Sequence, residues 1–185
     1  MYSKSIEIYS DGIGRVDYVN HMGDDLTVVN AARVSFGVEK EEIDGRDKKL
    51  ISYLIKHRHT STLEHNLITF RFSVPLYVRS QHHRHRTWSY NEISRRYTDV
   101  DIKFYEPKEF RTQHKSNRQA SNAEELINPE IGYSPHKLCG YPKSFVAEAI
   151  QHHHKHSLEL FNSLIEAGVC REQARGVLPQ NLYTE

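Results

Sequence analysis

Cysteine, methionine and tryptophan are scarce in this sequence, at two, two and one of 185 residues. The two cysteines, Cys139 and Cys170, lie in unrelated surroundings and make no disulfide framework, so reduced thiols in a cytoplasmic protein are expected. No stretch approaches the roughly 20 apolar residues of a membrane span. Ser3, Lys4 and Glu7 interrupt any apolar run that would open a secretory signal. Charge of one sign is lacking too: 25 Lys and Arg face 24 Asp and Glu, for a formal net charge of +1. That balance argues against a general polyanion binder, because any positive patch must be local. There is no internal repeat, and the length suits a single domain with a substantial core.

One such local patch is present. Between Arg84 and Tyr97 stand Arg84, His85, Arg86, Arg95 and Arg96 against one carboxylate, Glu92. The rest of the segment is hydrogen-bonding groups and flat rings: Ser89, Asn91 and Ser94, with Trp88, Tyr90 and Tyr97. Guanidinium forks match phosphate or carboxylate, and aromatic faces suit a heterocycle. The composition asks for an anionic ligand that carries rings, of which a nucleotide is the simplest. On charge alone, solvated surface explains an Arg-rich segment equally well. A nucleic-acid-binding module, with backbone and stacked bases along Arg84 to Tyr97, is the rival from another class.

Around the patch, Ser5–Tyr9 and Arg15–Val19 alternate as a strand pair about Asp11-Gly12-Ile13-Gly14. Asp24 or Asp25 caps a helix that ends near Gly37. Val38–Arg46 reads as a loop and Asp47–His57 as a helix. Ser61-Thr62-Leu63-Glu64 has capping-box spacing. Leu67–Val74 is the clearest strand, with Ile68, Phe70, Phe72 and Val74 on one face. Pro75 opens a helix running to about Arg84. Ile102 and Phe104 form a short strand, and 111–143 reads as a polar loop with a helical turn near 123–127. Phe145–Ala167 is a long helix closed by Gly168, and Glu172–Val177 a shorter one.

Thirteen histidines invite a metal. His152 and His156 are four apart on one helical face, with His82, His83 and His85 as conceivable partners. No His-Glu-x-x-His motif, acidic ligand at the right spacing or cysteine pair accompanies them, so no metal is expected. Solvated helix surface or a subunit contact is the expected fate of the 152–156 cluster.

The order Arg84-His85-Arg86-x-x-Ser89-x-Asn91-Glu92-x-Ser94-x-Arg96-Tyr97 resembles the signature of the flavin-dependent thymidylate synthases. Three further stretches are similar to that family: Ala31-Ala32-Arg33-Val34-Ser35, His59-x-Ser61-x-Leu63-Glu64-His65, and Arg171-Glu172-x-Ala174-Arg175-x-Val177-Leu178-Pro179 with Asn181-Leu182-Tyr183-Thr184. The resemblance implies an α+β fold with a mixed or antiparallel central sheet and flanking helices. It implies a homotetramer with shared active sites, in the cytoplasm (the host's, if the source is viral). The implied reaction is reductive methylation of dUMP to dTMP, with methylenetetrahydrofolate as carbon donor, NADPH as reductant and FAD as bound intermediary.

Under the resemblance, Gln81, Arg84, Glu92, Ser94, Arg96 and Arg175 are dUMP contacts, with Ser94 and Arg96 the catalytic candidates. Ser35, His59, Ser61, Glu64, Arg84, His85, Arg86, Asn91 and Glu92 are the FAD contacts. Adding carbon to C5 of uracil needs electron density there, which a thiolate added at C6 supplies in one solution. Neither Cys139 nor Cys170 has a base partner in its segment, and the resemblance implies a flavin route instead. It also leads us to expect a further family segment beyond Glu185, with an Asn-x-Arg and a later Leu-Arg.

Overall fold

Two aspartates set the helices of the first part of the chain. Asp24 caps α1 (Asp25–Arg33) by accepting from Thr27 N at 2.9 Å, while Thr27 answers back to the Asp24 backbone. Asp44 does the same for α2 (Gly45–Lys56), accepting from Arg46 N and Asp47 N. A side-chain oxygen here satisfies amides that have no partner inside the helix. The loop expected to reach Arg46 therefore stops at Asp44, and α2 starts two residues before the expected Asp47.

The computed structural model describes residues 4–133 and 143–185, so the reading of Cys139 lies outside the described residues. The chain divides into two compact units, Met1–Ile6 with Val16–Arg71, and Glu7–Arg15 with Phe72–Glu185. In sheet order β2 (Arg15–Met22) lies between β1 (Ser5–Glu7) and β3 (Leu67–Pro75). The loop between α1 and α2 is tied down by Asp47, whose inaccessible carboxylate takes Arg33 Nη2 at 2.6 Å and the Lys40 ammonium. Asn30 completes the clasp, exchanging two 2.9 Å hydrogen bonds with the Lys40 backbone.

The capping box expected at Ser61 and Glu64 does not form. Thr60–His65 is a 3-10 helix without a side-chain cap, and Asn66 is already extended. Six residues ahead of a strand leave no α-helix to cap, so matching spacing alone was a false signal. The predicted apolar face of β3 is likewise only half buried. Val74 is buried, whereas Ile68 and Phe70 are 57% and 44% exposed in this chain.

In the second unit the end of β3 pairs antiparallel with β8 (Tyr183–Thr184), Val74 opposite Thr184 and Pro75 opposite Tyr183. Helix α3 (Leu76–His82) leaves directly from β3, and Leu76 N donates to Leu182 O at 2.9 Å. The short strand expected at Ile102 and Phe104 is a single bridge, Phe104 to Leu182.

The segment expected to be a loop with a helical turn is instead partly sheet. Strands β4 (Phe110–Gln113) and β5 (Ser121–Ile127) form a hairpin, and β6 (Glu130–Gly132) pairs with β7 (Lys143–Phe145). Polar side chains hold the hairpin: Asn122 donates to Thr112 Oγ1 at 2.8 Å, and Thr112 donates to Glu125 at 2.9 Å.

Helix α4 (Val146–Glu166) supplies the core of this unit. Fully buried Phe161 packs with Ala174, Leu178 and Leu182, which come from α5 (Arg171–Ala174) and the segment after it. The expected helix 172–177 is one α turn followed by a 3-10 turn, Arg175–Val177. Within the 152–156 histidine cluster, His154 departs from the expected solvated surface. It is 2% exposed, stacks on Phe104 at 4.7 Å and lies 2.9 Å from Glu106. No group of three or more potential metal-binding side chains occurs among the described residues.

Candidate functional site

The second unit contains a cavity of about 490 Å3, within the roughly 300–1,000 Å3 typical of small-molecule sites. Three segments far apart in sequence line it: the first turns of α3, residues 92–95, and the stretch from Glu172 to Thr184. Packing of β8 on β3, and of Ala174, Leu178 and Leu182 on Phe161, brings the last segment against the other two. Of the residues expected to touch dUMP, Glu92, Ser94 and Arg175 line this cavity. Arg96 does not line it, but its Nη2 lies 3.5 Å from Oε2 of Glu172, which does. Gln81 and Arg84, at the end of α3, are exposed and outside the lining.

The electrostatics are mixed rather than uniformly basic. Three guanidiniums (Arg79, Arg95 and Arg175) face two carboxylates, Glu92 and Glu172. Arg95 is 8% exposed and donates to the Val100 carbonyl at 2.7 Å. Burial pulls its guanidinium below the ordinary range, with the Asp101 and Asp99 carboxylates opposing. Glu92 is anchored through Oε1, which accepts from Thr184 Oγ1 at 2.7 Å and lies 3.0 Å from Arg79 Nε. Tyr183 closes the wall, and its hydroxyl donates to Asp11. Burial, followed by that bond to a carboxylate, raises the phenol well above its ordinary range.

Ahead of the cavity, residues 82–90 form a cluster of rings. His82 lies 4.3 Å from Trp88 and 4.8 Å from Phe72, and His83 lies 4.2 Å from Tyr90. The Tyr90 hydroxyl is shared between the carbonyls of His85 at 2.6 Å and His82 at 3.1 Å, which fixes the loop leaving α3. Burial, then the neighbouring His85 and His83, holds the His82 imidazole below its ordinary range. Arg84, His85, Arg86 and Asn91 are exposed here. Arg84 and Arg86 make no ion pair among the described residues.

The other expected flavin contacts belong to the first unit. Ser35 sits in a 3-10 turn after α1, His59 precedes the 60–65 turn, and Ser61 and Glu64 lie within it, all exposed. Sequence reasoning missed Arg79. The available signal was its position three residues after Leu76 on α3, which places both on one helical face. Thr184 was noted only as part of a motif, without a role.

An α+β scaffold here gathers guanidiniums, a serine and an anchored carboxylate around one cavity, a lining suited to a small polar ligand. Comparison with known proteins makes the assignment narrower. Residues 17–185 match the family model described as thymidylate synthase complementing protein. A flavin-dependent thymidylate synthase of Thermus thermophilus is 41% identical over 93% of this chain and 57% of its own length. Those of Thermotoga neapolitana and Borreliella burgdorferi are 39% and 36% identical, over 92% and 99% of this chain and 68% and 62% of their own lengths. A solved structure of the UMP/dUMP methylase PolB from Streptomyces cacaoi bound with 5-Br dUMP is similar at a TM-score of 0.68 and 32% identity, covering 97% of this chain and 72% of that one. The chain belongs to the flavin-dependent thymidylate synthase family. It spans little more than half the length of the Thermus relatives it matches.

Proposed function

We propose that this protein carries out the reductive methylation of dUMP to dTMP. The carbon comes from methylenetetrahydrofolate and the reducing equivalents from NADPH, by way of bound FAD, in the cytoplasm. The observation that carries this reading is the cavity in which the fold brings Arg175 of one motif together with Glu92 and Ser94 of another. Arg175 supplies a guanidinium for the phosphate, and Arg96 joins it by exchanging Glu172 for a stronger anion. Ser94 adds a hydroxyl, and Gln81 offers a donor and an acceptor to the imide edge of uracil.

The residues present fit a flavin dinucleotide. Arg84 and Arg86 are exposed guanidiniums without a counter-ion among the described residues, suited to a pyrophosphate. His85, Asn91 and Glu92, of the same unit, offer further donors and acceptors, while Ser35, His59, Ser61 and Glu64 are flavin contacts on the family resemblance alone. When bound, the flavin supplies the electrons that convert a methylene carbon into a methyl group. The protein's residues bind and orient the nucleotide.

Unfinished packing supports the association of subunits, which we take to be a homotetramer. Val19, Met22, Leu67, Ile68 and Phe70, on β2 and β3, are 44–64% exposed in the single chain. Exposed apolar side chains of this kind suit burial against another subunit. Among the described residues no helix is long and apolar enough to cross a membrane.

The test is titration of FAD-loaded protein with dUMP, 2′-deoxyuridine and a single-stranded oligonucleotide at two salt concentrations. Wild type is expected to prefer dUMP over deoxyuridine. Arg175→Ala should cost dUMP about 1.5–3 kcal/mol and erase most of that preference. A nucleic-acid binder would instead bind the oligonucleotide tightly, and each lost cation would lower its salt slope by about one unit. That outcome, with no preference for dUMP, sinks the proposal.

A further inference from the structure

We propose that Arg79 is a positioning residue of the cavity: with Thr184 it fixes Glu92 by one carboxylate oxygen, so that the other is presented to the nucleoside part of the ligand. The inference rests on the nucleotide reading above. Arg79 occupies no position of the motifs that carry the family resemblance, so its role is argued from geometry alone.

Glu92 has no regular element of its own to hold it, because residues 91–94 are neither helix nor strand. Its backbone neighbour is tied instead, Ile93 N donating to Glu185 O at 2.9 Å. The side chain is gripped from two sides by rigid elements. Thr184 of β8, 7% exposed, donates to Oε1 at 2.7 Å, and Arg79 of α3 brings Nε to within 3.0 Å of the same oxygen. The two gripping elements are joined to each other. Leu76 N donates to Leu182 O at 2.9 Å, Tyr77 N to Gln180 O at 3.2 Å, and Val74 pairs with Thr184. Both contacts fall on Oε1, and Oε2 has no partner among the described residues. A carboxylate oxygen only accepts, so Oε2 calls for a hydroxyl or ring N–H on the ligand.

The same geometry argues that Arg79 does not itself bind phosphate. Its Nε is shut off from solvent and makes no aligned hydrogen bond, so the contact with Glu92 is ionic. Arg95 is committed to the Val100 carbonyl. Among the lining guanidiniums that leaves Arg175 for an incoming phosphate, and Arg79 to hold Glu92 in place. Without Arg79 the carboxylate would keep one of its two anchors and would gain freedom to turn.

Two classes of role therefore separate by ligand. Loss of a phosphate contact weakens dUMP and spares deoxyuridine. Loss of a residue that positions Glu92 weakens both by the same factor, because the group that Glu92 reads is present in both.

The experiment uses the FAD-loaded full chain and measures Kd for dUMP and deoxyuridine in wild type, Arg79→Gln, Glu92→Gln and the double variant. Thermal unfolding of each variant is recorded alongside. Arg79→Gln should weaken both ligands roughly tenfold, and the double variant should be no worse than Glu92→Gln, since coupled residues do not add. Arg79→Lys, which keeps the charge without the fork, should recover part of the loss. Thr184→Val carries the same test if Arg79→Gln does not fold, with a smaller and equally ligand-independent loss. Weakening of dUMP alone, independent additive losses, or no change in either Kd would overturn the proposal. Wild type that binds neither ligand would overturn the nucleotide reading along with it.

Discussion

Replacing Phe161 by alanine tests how the cavity is built. Phe161 is inaccessible to solvent and contacts Ala174, Leu178 and Leu182, with Leu164, Ile165 and Val177 packed around them. Removing the ring returns roughly 100 Å2 of apolar burial, about 2.5 kcal/mol at about 25 cal/mol per Å2. The hole adds up to about 2.4 kcal/mol if roughly 100 Å3 stays open at about 24 cal/mol per Å3. The surrounding leucines relax into part of that space, which places the total at about 3–5 kcal/mol. Leu178 and Leu182 also line the cavity, and Arg175 directly follows Ala174, so dUMP affinity should fall as well. The assay is urea unfolding at one protein concentration, because association contributes to apparent stability, followed by dUMP titration of the folded variant. A stability loss below about 1 kcal/mol with unchanged m would refute a packed core at Phe161. Full loss of stability with unaltered dUMP affinity would refute the link between this core and the site.

Acid sensitivity should concentrate at Asp47. The hydrogen bond from Lys40, then the Asp44 amide and Arg33, hold its carboxyl far below the ordinary value of 3.8, and Asp44 and Asp24 are lowered as well. A depressed folded pKa gives stability that is complete above the unfolded value and is lost as pH falls below it. Wild type should thus be level above about pH 5 and lose stability below about pH 4. Asp47→Asn should unfold at lower temperature at neutral pH and show a shallower acid limb; an unchanged limb would contradict the clasp. Gly23 has φ +79°, and a Cβ there would stand 2.0 Å from Asn66 Oδ1. Gly23→Ala should therefore cost about 1–3 kcal/mol in denaturant unfolding, and a neutral result would mean that this turn differs from the one described.

Legibility in the sequence followed the range of the interactions. Asp24, Gly168 and the alternation of Leu67–Val74 act within a few residues, and each marked its element correctly. Asp44 was passed over because its partner in the capping box is another aspartate, Asp47, rather than the usual Glu or Gln. The β4–β5 hairpin was hidden because its cross-strand contacts are Thr112, Asn122 and Glu125 rather than alternating apolar residues. Motif residues named three of the cavity's polar groups without any geometry. The anchoring of Glu92 by Arg79 and Thr184 could not be read from sequence. It exists only because β8 returns to β3 across more than a hundred residues, and a lone arginine on a helix carries no mark of that return.

What lines the cavity also limits what its side chains can do. A nucleophile needs a base within hydrogen-bond reach, and the base needs a partner to orient it. Among the lining hydroxyls, Thr184 and Tyr183 donate to the carboxylates of Glu92 and Asp11, whereas Ser94 Oγ accepts from the Arg96 amide at 3.3 Å and has no histidine or carboxylate against it among the described residues. Glu92, the neighbouring carboxylate, is already engaged through Oε1 by an arginine and a threonine. Cys170 stands exposed at the start of α5, donating toward Gln173, and is not part of the lining. The described walls of the cavity therefore supply charge, hydrogen bonds and shape. On the proposed function, Ser94 and Arg96 would orient the nucleotide, and the bound flavin would supply the electrons.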